Sequence, residues 1–85
     1  MAELDEIMAH MDELKNDRRV PKNVRNSISL AQRELMDDNE NINVKLNAAI
    51  SILDEVSNDT NIQPFTRTQI WNLVSLLEGF QEQSD

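Results

Sequence analysis

The chain has 85 residues, a net charge of −8 at neutral pH, no cysteine, one glycine and two prolines. That length supports one small domain, and the missing cysteine excludes disulfides and thiolate metal sites as staples. The acidic balance argues against general nucleic-acid binding because polyphosphate would be repelled, and the absence of tyrosine argues against a β-rich fold. No apolar run is long enough to span a membrane, and the acidic, amphipathic start MAELDEIM does not read as a secretory leader, so a cytoplasmic setting is expected.

Helix 1 is predicted from about Glu3 to Asn16, where Leu4, Ile7, Met8, Met11 and Leu14 recur at helical spacing in one narrow stripe. The turn-prone run Asn16-Asp17-Arg18-Arg19 ends it. Pro21 suits the first turn of helix 2, whose stripe is Val24, Ile28, Ala31 and Leu35. The polar run from Asp37 to Asn41 is the second break. Asn43 is the expected N-cap of helix 3, with Ile42 and Leu46 stapled across it. Ala49, Ile50, Leu53 and Val56 continue that helix until Asn58-Asp59-Thr60-Asn61 stops it. Pro64 opens helix 4, which carries Ile70, Leu73, Val74, Leu77 and Phe80. Gly79 weakens its last turn, and residues 81–85 are expected to fray.

Residues 4–35 and 46–77 align without a gap at an offset of 42. Leu4, Asp12, Glu13, Asn16, Asp17, Arg25, Ile28 and Leu35 recur as Leu46, Asp54, Glu55, Asn58, Asp59, Arg67, Ile70 and Leu77, and Val20 is matched by Ile62. One helical hairpin is therefore used twice, at about 3–37 and 43–82, within a single domain over 1–85. Each break also places an acid eight residues before a base: Asp17 and Arg25, Asp37 and Lys45, Asp59 and Arg67. The expectation is that these pairs meet around the turn and set the angle between successive helices. An Asp-containing turn followed by Val24-Arg25, Ile28 and Ala31 resembles the HEAT class of helical repeats. Two hairpins bury their faces better in a closed form than in an open stack, so the expected fold is an all-α, up-and-down four-helix bundle with a HEAT-like internal repeat.

Three segments carry a closer resemblance: Val20-Pro21-Lys22-Asn23-Val24-Arg25, the run from Ala49 to Asp59, and the run from Arg67 to Ser75. On these the chain resembles members of uncharacterised protein family 0147, small archaeal helical proteins. The resemblance implies a compact helical bundle in an archaeal cytoplasm and brings no activity with it.

The residues argue against an enzyme. One histidine, no cysteine and no glycine-rich loop leave thiol, triad and phosphate-cradle chemistries without their parts. His10 has Glu6 and Glu13 at helical spacing, but its repeat counterpart is Ile52, so no paired metal motif is built; neither metal nor cofactor is expected. Arg18, Arg19, Lys22 and Arg25 are the candidate anion-binding cluster, in a stretch with no acid between Asp17 and Glu34. The competing reading is that acids within the fold answer these charges. Helix 4 is apolar over about 220° of an ideal wheel, against about 120° for helix 1, which makes Trp71, Leu76 and Phe80 the candidate interface. The expected role is a non-enzymatic protein-interaction or adaptor module, with homodimerisation through the second hairpin as one form of it. The alternative is a nucleoprotein- or ribosome-associated factor that contacts phosphate through the basic cluster.

Overall fold

In the computed structural model, which describes residues 2–84, the sequence forms α1 (Ala2–Lys15), α2 (Lys22–Leu35), α3 (Ile42–Ser57) and α4 (Pro64–Ser84). Each helix lies beside two others: α1 against α2 and α4, and α3 against α2 and α4. The ring closes as an up-and-down four-helix bundle. Packing is densest along α3, above all against α2, and lightest along α1. The molecule measures 34 × 21 × 19 Å, its long axis matching the roughly 30 Å that α4 spans at helical rise.

The stripes face inward as their periods require. Ile7, Met11 and Leu14 of α1 meet Val24, Ile28, Ala31 and Leu35 of α2, with Leu46, Ala49, Leu53 and Val56 of α3 and Ile70, Leu73, Val74, Leu77 and Phe80 of α4 in one core. Leu4, Met8, Ile42, Ile50 and Ile52 pack at its margin. Val20 and Ile62 are buried too, although they belong to turns. Both turns lie at the same end of the bundle, so these two side chains plug it. The α2–α3 turn at the other end has Glu40 at the matching position, exposed to solvent.

The three connections, 16–21, 36–41 and 58–63, follow one backbone course. In each, the aspartate folds onto its own chain: Asp17, Asp37 and Asp59 accept at Oδ1 from the N–H of Arg19, Asn39 and Asn61, all at 2.9 Å. Of the three expected acid–base pairs, Asp59 and Arg67 do meet, through the Asp59 main-chain carbonyl and not its carboxylate; Asp17 with Arg25 and Asp37 with Lys45 do not. None of the three carboxylates bonds the base eight residues on; each is turned back onto its own connection by the N–H two residues away. Arg67 serves the turn differently, donating from Nε to the Ser57 carbonyl at 3.0 Å and from Nη2 to the Asp59 carbonyl at 2.8 Å. It thereby satisfies carbonyls that the end of α3 leaves open.

Other boundaries differ from expectation for local reasons. Asn41 caps α3 in place of Asn43: its backbone is extended and its side chain accepts from the Asn43 N–H at 2.8 Å. Pro21 stands at the N-cap of α2 instead of inside the first turn. Helix α4 runs through Gly79 to Ser84 where fraying was expected. Phe80 anchors that stretch in the core, and Gln81 Nε2 donates to Asn47 Oδ1 of α3 at 2.9 Å. Met1 and Asp85 lie outside the described residues.

Candidate functional site

The predicted basic cluster separates into parts with different fates. Arg19 is spent within the fold. Its Nε and Nη2 donate to the two carboxylate oxygens of Asp17 at 3.1 and 2.8 Å, and its guanidinium lies 4.4 Å from the ring centre of Phe65. Those side-chain bonds, followed by the Arg19 backbone N–H, hold the Asp17 carboxyl down to about 2. Arg19 thus clasps the α1–α2 turn and reaches across to the start of α4. Arg18 is exposed beside it and does not join the cleft described next.

Lys22 and Arg25 meet Lys15, Asn16, Asn26 and Ser29 in a cleft of about 320 Å³ between the end of α1 and the start of α2. Lys15, absent from the sequence-predicted set, lies 3.5 Å from Asp12. Asp12 also accepts from Gln32 Nε2 at 2.8 Å, a bond that lowers its pKa ahead of the contribution of Lys15. Arg25 is the repeat counterpart of Arg67, yet its Nε is buried without a hydrogen-bond partner among the described residues. A repeat comparison was the available signal for this site. Position 15 holds lysine where position 57 holds serine, so the first hairpin places an extra cation beside an arginine that the second hairpin uses as a cap.

The candidate interface residues are also split. Phe80 is 5 % exposed and belongs to the core, whereas Trp71 and Leu76 are 53 % and 46 % exposed. Leu76 and Phe80 line a groove of about 330 Å³ between α1 and α4, together with Ile7 and Gly79. Glu3 and Glu6 stand at its α1 rim, and Ser75 and Gln83 at its α4 rim. Trp71 is outside this groove. His10 lies on the surface of α1 with Nδ1 3.8 Å from Glu13, and among the described residues no three His, Asp or Glu side chains are grouped to hold a metal. Among those residues no helix is long and apolar enough to cross a membrane.

Comparison with known proteins gives one consistent result. A UPF0147 protein of Methanocaldococcus jannaschii is 46 % identical over 68 residues, covering 80 % of this chain and 73 % of that one. Another from Metallosphaera sedula is 37 % identical over 81 residues, covering 95 % and 91 %. The crystal structure of a UPF0147 protein from Thermoplasma acidophilum superposes with a TM-score of 0.86 at 35 % identity, covering 92 % of both chains. The family model described as "Uncharacterised protein family (UPF0147)" matches residues 1–80, and this chain belongs to that archaeal family.

Proposed function

We propose that this protein is a non-enzymatic interaction module that holds a basic, amphipathic segment of another protein in the groove between α1 and α4. The observation that carries the reading is Gly79. It sits inside the longest helix, its φ is not positive, and a Cβ built on it would meet nothing within 4 Å. Neither backbone geometry nor close packing requires glycine there, although glycine inside a helix costs about 0.5–1 kcal/mol relative to alanine. What the missing side chain does is keep the groove open between Leu76 and Phe80.

The occupant follows from the lining. Ile7, Leu76 and Phe80 offer an apolar floor, and Glu3 and Glu6 offer negative charge along one rim. An amphipathic helix bearing lysine or arginine beside its apolar stripe complements both. A second copy of this acidic chain would face that rim with a net charge of −8.

The test is a titration of the intact protein with a synthetic Leu/Lys amphipathic helix, followed by amide chemical shifts. Saturable shifts at Ile7, Leu76 and Gly79 are expected, weakened by Glu3→Lys/Glu6→Lys and blocked by Gly79→Leu, which fills the groove. Binding that ignores both variants would overturn the reading. So would sedimentation as a dimer whose interface occupies this groove.

A further inference from the structure

We infer that the cleft formed by Lys15, Lys22 and Arg25 is a second, separate binding site, and that its ligand is a phosphoryl group. The site lies at the opposite end of α1 from the Glu3/Glu6 groove and stands independently of it. Three cations share one cleft, and among the described residues the ion pair they make is Lys15 with Asp12. The segment from Arg18 to Arg33 contains no acidic residue. On the far side of the α2 start, Asp59 accepts from Asn23 Nδ2 at 3.2 Å. Clustering these charges is unfavourable until an anion answers them.

Arg25 makes the case specific. Its counterpart Arg67 uses Nε and Nη2 on two backbone carbonyls, whereas Arg25 Nε is buried and unpartnered among the described residues. Nε is closed off from the cleft, so a ligand there meets the Nη groups, which Arg25, unlike Arg67, does not commit to backbone carbonyls. A guanidinium is the side chain best shaped to bind phosphate oxygens in pairs, and a lysine adds a point charge. Asn26 and Ser29 add neutral donors on the next turn of α2. A cleft of about 320 Å³ lies at the small end of ligand sites, which suits the phosphoryl group of a small molecule. A nucleic-acid backbone presents the same group, and the experiment separates the two sources.

The intact protein is titrated with sodium phosphate at constant ionic strength, and amide shifts are followed. Saturating shifts confined to residues 15–29 are expected. Arg25→Gln weakens binding about tenfold, the scale of one lost charge-assisted bond, and Arg25→Lys recovers part of it. Lys22→Gln, on an exposed side chain, supplies the same readout should Arg25→Gln fail to fold. Arg33→Gln, outside the cleft, leaves affinity unchanged.

Two results would overturn the inference. One is a set of non-saturating shifts that includes Arg33 and Lys45, which would report an adventitious ion only. The other is an Arg25→Gln variant that binds phosphate normally but melts earlier, which would assign Arg25 to capping α1 as Arg67 caps α3. Repeating the titration with AMP and with a ten-nucleotide RNA locates the source. Tighter AMP binding at these amides places the phosphoryl group on a small molecule, and tighter RNA binding places it on a nucleic-acid backbone.

Discussion

Three aspartates, Asp17, Asp37 and Asp59, do one job: each carboxylate accepts the N–H two residues on and turns the chain between helices. Asp17 differs from the others in also holding the Arg19 guanidinium, and this depresses its pKa to about 2. A carboxyl that ionises more readily folded than unfolded stabilises the fold above its ordinary value near 4, and that contribution disappears as pH falls toward about 2. Asp17→Asn keeps an oxygen to accept the Arg19 N–H and removes the charge. Urea denaturation should find the variant less stable than the wild type at neutral pH, by a small margin for a surface pair, with the gap closing between about pH 4 and pH 2. A gap that persists at the acid end would mean the turn geometry was lost, and would reject the charge as the cause.

At the scale of the element, α4 sets stability against an open surface. Gly79→Ala adds a methyl group where nothing stands within 4 Å and restores helix propensity. It should raise stability by about 0.5–1 kcal/mol, read as an upward shift of several degrees in Tm for a domain of this size. An unchanged or lower Tm would show that the glycine answers a packing need after all. The helices themselves were legible in the sequence because apolar residues at 3.6-residue spacing report burial directly: Val24, Ile28, Ala31 and Leu35 all point inward as that spacing requires. The turns were legible as breaks but not as mechanisms. An aspartate can bond locally or reach a base eight residues away, and only the helix orientations decide between them. The cleft was half legible for a related reason. Lys22 and Arg25 join Lys15 across an antiparallel turn, whereas Arg19, their neighbour in sequence, is drawn away by Asp17 and Phe65.

Across the whole molecule, packing is uneven, and its unevenness falls on the helix that borders both proposed sites. Helix α3 is embedded between α2 and α4, while α1 is held most lightly and carries Glu3, Glu6 and Ile7 at the groove and Lys15 at the cleft. Among the described residues, one side-chain anchor ties α1 to α2: Gln32, buried on α2, donates from Nε2 to Asp12 Oδ1 at 2.8 Å and to the Met8 carbonyl at 3.3 Å. The second hairpin has Val74 at the corresponding position, so the apolar alternative is already compatible with the repeat. Local opening follows packing density and tertiary anchoring, so α1 is expected to open without the rest. Native-state hydrogen exchange should show amides of residues 46–53 exchanging only through global unfolding, and those of residues 8–14 through a cheaper opening. Gln32→Leu removes both anchoring bonds while keeping an apolar body in the core. It should speed exchange in α1 further while the protection of α3 stays close to that of the wild type. Equal losses in both helices would mean that the bundle opens as one cooperative unit and that α1 has no independent freedom to adjust to a ligand at either end.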